Sequence, residues 1–272
     1  MPKKLSILGY GWLGTALAKE LQQKDYQAHG STTTEAKLGM LSADGVVPHL
    51  LRIGNRTIHG ALGNFLDEAA VLVVAFPPGL RHEPHANYAA RIKQVVDEMK
   101  QYATCNVLLL SSVGVFGQSQ GIVNENSTPK PDSEVGKQLA EAEAAILSLG
   151  SRASIVRLGG LVGEGRHPAK QLSGRKNITH PNAPTNLVHQ KDVVRFLCAI
   201  IAHHVWGHVL HCVSPIHHNR KDFYTKQCAL AGLEQPEFSA TETTRNKQVE
   251  DTKSKSLFGF DYTLVNCSIQ DC

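Results

Sequence analysis

The sequence predicts an α/β fold: a doubly wound parallel sheet with helices on both faces, joined by a small, discontinuous C-terminal cap. Three observations carry that expectation. Apolar runs without polar alternation, such as Leu5-Ser6-Ile7-Leu8 and residues 69–76, read as strands buried on both faces. Helix-period segments alternate with them along the chain. A glycine-rich turn, Gly9-Tyr10-Gly11-Trp12-Leu13-Gly14, joins the first strand to the first helix.

Each element has its own reason. Leu13, Leu17 and Leu21 recur at helical spacing after the glycine turn. Residues 25–30 read as a second strand, 35–43 as a helix stopped by Gly45, and 46–51 as a third strand. The run 69–76 ends at Phe76 because Pro77-Pro78-Gly79 cannot continue a strand. Residues 87–102 carry Ile92, Val95, Val96 and Met99 on one helical stripe, and 106–110 form a strand ending at Ser111-Ser112. Residues 133–149 place Val135, Leu139, Ala142, Ile146 and Leu149 on a second stripe. Strands at 154–158 and 209–213 flank a helix at 193–202. Residues 159–186 and the tail after Ser214 are rich in Gly, Pro and basic residues and read as loops of the cap. The expected division is a dinucleotide-type domain at 1–158 and 188–213, with the cap at 159–187 and 214–272.

Composition excludes several classes. Apolar residues make 42% of the 272 and charged residues 19%, which suits a packed core rather than a disordered chain. A net charge of +4 without a long Lys/Arg run gives no reason to expect nucleic acid. No window reaches the length of a spanning apolar helix, so no membrane partner is expected. The apolar stretch near the start is too short for a signal peptide. The six cysteines are scattered and form no CxxC pair, which fits a reducing, cytoplasmic setting.

The glycine turn carries the first functional reading. Gly9 makes the tight turn, Gly11 lets backbone approach a pyrophosphate, and Gly14 lets the helix pack close to the strand. The helix start, Trp12 and Leu13 included, then presents its amides and positive dipole to phosphate. This is the pattern of a Rossmann-type dinucleotide site. An NAD site usually carries an acid at the end of the second strand. Here Gly30-Ser31-Thr32-Thr33-Thr34 precedes Glu35. The hydroxyls of Ser31, Thr32 and Thr33 with Lys37 suit a 2′-phosphate better, so NADP is favoured and NAD remains open. The plain alternative is that the threonines cap the next helix. Phe76 and Pro77, ending a buried strand, are expected beside the cofactor.

These residues resemble an extended short-chain dehydrogenase/reductase of the epimerase/dehydratase-like branch, and within it the YeeZ-like family. The resemblance spans nearly the whole chain. It rests on Gly9 to Gly14, on Ser111-Ser112-Val113-Gly114-Val115-Phe116-Gly117, on Gly160-Leu161-Val162-Gly163-Glu164-Gly165-Arg166-His167-Pro168, on Asn186-Leu187-Val188-His189 with Asp192, and on Leu257-Phe258-Gly259-Phe260-Asp261. That superfamily works with Ser/Thr, Tyr and Lys, the last two four residues apart on a helix. The resemblance places Ser112 at the serine position. It places Val135 and Leu139 where Tyr and Lys belong. Lys137 cannot substitute, because two residues turn a helix by roughly 200°. Members commonly form homodimers through two long helices, which here would be 87–102 and 133–149.

The remaining candidates are weighed against ordinary roles. Arg166 and His167 would meet an anionic substrate or the cofactor phosphates; a solvated loop is the plain alternative. Asn186 is a further substrate-binding candidate. His189 could replace the missing proton donor, although a lone histidine is more often a satisfied structural one. Asp192 reads as a helix cap and Tyr88 as a packing residue. The clusters His203, His204, His208, His211 and His82-Glu83-Pro84-His85 have the wrong spacing for zinc, so no metal is expected. The expected function is an NAD(P)-dependent oxidoreductase acting on a small molecule, with Ser112 orienting its oxygen and His189 or His167 moving the proton. The alternative is a non-catalytic NAD(P)-binding or redox-sensing protein. A β-hydroxyacid-type dehydrogenase is disfavoured by the strand-like residues 209–213 and the loop-rich tail.

Overall fold

A computed structural model of the chain describes residues 3–80, 83–240 and 245–272. His82 of the histidine-rich turn lies outside the described residues. The chain divides into two compact units. The first comprises 1–111, 134–156 and 197–209, and the second 112–133, 157–196 and 210–272. Relative to the division expected from sequence, residues 112–133, 157–158, 188–196 and 210–213 group with the second unit.

The first unit is built on β1 (Lys3–Leu8), α1 (Trp12–Gln22), β2 (Tyr26–Thr32), α2 (Leu38–Ala43) and β3 (Val47–Leu50). A hairpin of β4 (Arg52–Ile53) and β5 (Ile58–His59) and a short α3 (Leu62–Leu66) lead to β6 (Val71–Val74), α4 (Tyr88–Met99) and β7 (Asn106–Ser112). β8 (Ile122–Val123) precedes α5 (Glu134–Leu147) and β9 (Ala153–Leu158). Next come β10 (Gly160–Val162), α6 (Pro168–Leu172), β11 (Leu187–His189), α7 (Gln190–Ala202) and β12 (Val209–Cys212). The chain closes with α8 (Arg220–Leu230), β13 (Gln248–Val249) and α9 (Ser254–Phe258).

Seven strands form the main sheet in the order β12-β9-β7-β6-β1-β2-β3. The pairs β3/β2, β2/β1, β1/β6 and β6/β7 are all parallel. The order reverses beside β1, where β2 lies on one side and β6 on the other. That reversal is the switch point at which open α/β sheets bind ligands, outside the carboxyl ends of the strands. Apolar continuity in β6 has its physical cause here: all four of its residues are buried, as expected for a strand covered on both faces. Each such fully buried side chain contributes about 1.5–3 kcal/mol. α1 buries Leu13, Leu17 and Leu21 on one face. α4 is capped by Asn87, whose side chain accepts the Ala90 amide at 2.9 Å, and buries Tyr88, Ile92, Val95, Val96 and Met99.

Three expectations need correction. Residues 35–43 do not form one helix: a 3₁₀ turn at Glu35–Lys37 precedes α2. The stripe on α5 is shorter than its periodicity suggests. Leu139, Ala142 and Ile146 are buried, but Val135 in the first turn is 38% exposed. The segments read as loops contain regular structure. β10 pairs with β11 and β13 with β8, both parallel. α8 runs for 11 residues after Asn219, whose side chain accepts the Lys221 and Asp222 amides. α8 escapes a pattern search because its buried positions, Phe223, Tyr224, Gln227 and Cys228, include a polar residue and no continuous apolar stripe. Phe223, Tyr224 and Cys228 join Val162, Ala169, Leu187, Cys267 and Ile269 in the core of the second unit. No helix among the described residues is long and apolar enough to cross a membrane.

Candidate functional site

The site begins with the turn after β1. Gly9 has φ +111°, and a Cβ there would stand 2.7 Å from the Phe76 amide nitrogen, so only glycine fits. Its N–H donates to Ser31 Oγ at 2.9 Å, and the Tyr10 N–H donates to the Ser31 carbonyl at 2.8 Å. Ser31, a cofactor candidate from sequence, thus holds the loop through both its side chain and its backbone. A Cβ on Gly14 would lie 2.6 Å from the Gly9 carbonyl oxygen, which explains glycine at the helix–strand contact. Gly11 differs. It caps α1 in extended conformation, and a Cβ there would meet nothing within 4 Å. The space its missing side chain leaves belongs to a cavity. The first turn of α1 carries no acidic side chain to compete with an anion.

That cavity, of about 400 Å³, lies wholly within the first unit. Gly9, Gly11, Ser31, Thr32, Thr33, Lys37, Phe76 and Pro77 all line it, so most of the predicted cofactor residues come together. Trp12, Leu13 and Gly14 are not among its lining residues; they form the first turn of α1, with Leu13 and Gly14 buried. Thr32 Oγ1 accepts the Thr34 N–H at 3.1 Å, which turns the chain out of β2. Phe76 packs edge-on against Tyr88, with ring centroids 5.5 Å apart.

Sequence reasoning missed Tyr10, Arg52, Glu83 and Arg91 in the lining. Arg52 follows the third predicted strand directly, so the carboxyl-end rule could have found it. Arg91 lies in the first turn of α4, and no local signal marks it. Tyr10 is buried, and its hydroxyl donates to Asp44 Oδ2 at 3.0 Å; burial first, and then Asp44, pushes the phenol up to about 12. Glu83 pairs with both arginines, and the Arg91 guanidinium holds its carboxyl below the ordinary value.

The second unit contains the remaining candidates. Ser112 ends β7, and its Oγ accepts the Gly114 N–H at 3.1 Å, which leaves its own proton to donate. His167 and His189 are buried, with both ring nitrogens engaged by backbone. Nδ1 of His167 accepts the Ala169 N–H, and its Nε2 meets the Cys267 carbonyl at 3.0 Å. Nδ1 of His189 accepts the Lys191 N–H, and its Nε2 meets the Asp271 carbonyl at 3.1 Å. A ring that accepts at Nδ1 donates at Nε2, so each directs an N–H at a backbone carbonyl. In this arrangement both nitrogens of each ring meet backbone groups. Asn186 is likewise occupied: it donates to the Lys247 carbonyl at 2.8 Å and accepts the Val249 N–H at 2.7 Å, pairing with β13 as a strand neighbour would. Arg166 is exposed. Asp192 does more than cap a helix. Its buried carboxylate accepts from the Thr263 and Leu264 amides, the Thr263 hydroxyl and Arg195.

No family model matches the chain. Among known proteins it is similar to Protein YeeZ of Escherichia coli (strain K12), with 30% identity over 265 residues, 96% of either chain. Among solved structures it superposes on a functionally unknown conserved protein from Silicibacter pomeroyi DSS, with TM-score 0.79, 21% identity and coverage of 98% and 96%. It also superposes on MoeE5 in complex with UDP-glucose and NAD, with TM-score 0.78, 18% identity and coverage of 96% and 93%. A third is UDP-glucuronic acid 4-epimerase from Bacillus cereus in complex with NAD, with TM-score 0.79, 15% identity and coverage of 97% and 93%. These likenesses give the fold of epimerase/dehydratase-type proteins. The near-complete match to YeeZ gives the family, and this chain belongs to the YeeZ family.

Proposed function

We propose that the chain binds a nicotinamide dinucleotide in the cavity of the first unit, NADP(H) in preference to NAD(H), and serves as an oxidoreductase on a small anionic molecule. One observation carries the reading: the glycine cradle at the switch point, where the space beside Gly11 opens into the cavity at the start of α1. The threonine-rich end of β2 and Lys37, with no acid before Glu35, support the phosphorylated cofactor. Nucleoside-diphosphate sugars are the first substrates to try, since MoeE5 and the Bacillus cereus epimerase bind UDP-sugars or carry them in their names.

When bound, the nicotinamide supplies or accepts the hydride. Gly11 admits the pyrophosphate to backbone, and Thr33 and Lys37 hold the far end of the dinucleotide. Ser112 donates its hydroxyl proton to a substrate oxygen and orients it. Val135 and Leu139 have no proton to move, and His167 and His189 are committed to carbonyls, so proton exchange falls to Ser112 and water. A homodimer through α4 and α5 is the assembly that fits the family, and sedimentation tests it.

A specific observation favours a second reading, a non-catalytic NAD(P)-binding or redox-sensing protein: every candidate for general acid beyond Ser112 is missing or engaged elsewhere. Calorimetric titration of NADPH and NADH tests the shared claim. Tight binding of NADPH is expected, and binding of neither dinucleotide refutes it. NADPH oxidation across a panel of anionic metabolites, lost in Ser112→Ala, supports the oxidoreductase. A raised melting temperature with no oxidation by any of them supports the sensor.

A further inference from the structure

The cavity contains an ion-pair arrangement that the proposed function does not use. β4 follows β3 immediately. The Leu51 N–H donates to the Thr32 carbonyl at 2.9 Å, which seats Arg52 beside the threonine end of β2. The Arg52 guanidinium lies 3.6 Å from one carboxylate oxygen of Glu83, and its side chain remains 66% exposed. Arg91 takes the other oxygen. Arg91 is anchored: its side chain is only 15% exposed, and its Nε donates to Asn55 Oδ1 at 3.2 Å. Asn55 in turn accepts the Asn87 N–H and donates to the His85 carbonyl. Glu83 is therefore held by a fixed arginine and touched by a loose one.

We propose that Arg52 reads the 2′-phosphate that distinguishes NADP(H) from NAD(H), and that Glu83, fixed by Arg91, is where Arg52 rests when no phosphate is present. The inference rests on the dinucleotide reading of the cavity. Charge supports it. Among the described residues, Lys37, Arg52 and Arg91 stand against Glu83 alone, leaving the lining two net positive charges. A phosphate monoester brings close to two negative charges at neutral pH. Geometry supports it as well. Guanidinium is a planar fork that bonds phosphate oxygens in pairs, and Arg52 lines the same cavity as Thr33, Thr34 and Lys37. An exposed Arg–Glu pair is weak, so exchange of one partner for a doubly charged one favours the phosphate.

The test titrates NADPH and NADH in parallel into the full-length chain, as wild type, Arg52→Ala and Glu83→Gln. Arg52→Ala is expected to weaken NADPH roughly ten- to a hundredfold and leave NADH within about twofold, because one charge-assisted bidentate contact is lost. Glu83→Gln is expected to strengthen NADPH by up to about fivefold, since Arg52 then gives up no partner. Arg52 is exposed, and unchanged NADH binding shows that the variant is folded. Equal weakening of both cofactors, or of neither, overturns the assignment to Arg52. Weaker NADH binding in Glu83→Gln overturns it differently, by marking Glu83 as an acceptor for a ribose hydroxyl. If wild type binds NADH more tightly than NADPH, the inference fails while dinucleotide binding stands; if it binds neither, both fail.

Discussion

Replacing Gly11 with valine separates the cavity from the fold, because Gly11 and Gly14 are three residues apart yet meet opposite surroundings. At Gly11 an added Cβ meets nothing within 4 Å, and the extended backbone there accommodates any side chain. The only cost to the fold is a poorer helix cap, about 0.5–1 kcal/mol. The cost to binding is larger. A branched side chain in that space keeps a pyrophosphate away from the backbone amides. Two charge-assisted hydrogen bonds at about 1.5–3 kcal/mol each are then lost, which weakens binding at least a hundredfold. Gly14→Ala should behave in reverse. Its Cβ would sit 2.6 Å from the Gly9 carbonyl oxygen and 3.2 Å from Ile7 Cγ2. Such overpacking costs about 1–3 kcal/mol, and at 2 kcal/mol the midpoint falls by roughly 4–8 °C. Calorimetry with NADPH and thermal melts on both variants make the comparison. Tight NADPH binding by a folded Gly11→Val protein would refute the cradle.

Three further outcomes follow from buried polar groups. The Tyr88 hydroxyl is fully buried with no hydrogen-bond partner among the described residues, and burial holds the phenol protonated. Tyr88→Phe should therefore raise stability by about 1 kcal/mol in urea denaturation, and a loss would mean the hydroxyl has a partner. Asp192→Ala should cost about 3–5 kcal/mol, because it strands the Thr263 and Leu264 amides and the Arg195 charge, with Asp192→Asn recovering part of the loss. His211 is wholly buried, and burial pulls its ring down to about 4 despite the pull of the Glu250 carbonyl and Glu125. The unfolded ring, with a value near 6.5, binds the extra proton between these values. Stability is thus intact above pH 6.5 and falls as pH drops toward 4, by on the order of 3 kcal/mol in all. Denaturation midpoints against pH should flatten in His211→Gln, and an unchanged slope would assign the acid loss to other groups.

How much was legible in the chain depends on the range of the interactions. Buried parallel strands such as β6 announce themselves, because both faces must be apolar and Pro77-Pro78 marks the end. The helix at α8 does not, because its packing face includes Gln227, whose side-chain oxygen accepts the Ile269 N–H from a distant segment. The same holds for the histidines. Motif position made His167 and His189 candidates for proton transfer. Only the tertiary structure shows that their rings meet the backbone of residues 267 and 271, far along the chain.

The glycine spacing at 9, 11 and 14 and the run of hydroxyl residues with no acid before Glu35 are properties of the chain alone. They determine the tight turn between the first strand and helix and the hydroxyl-rich end of the second strand, because each acts within one turn. Tertiary structure decided what surrounds them. It turned Ser31 inward to hold the loop, brought Arg52 and Arg91 to a single carboxylate, and tied the histidines to the C-terminal segment. Those outcomes depend on contacts between residues from 8 to 100 positions apart, most of them beyond the reach of any local pattern.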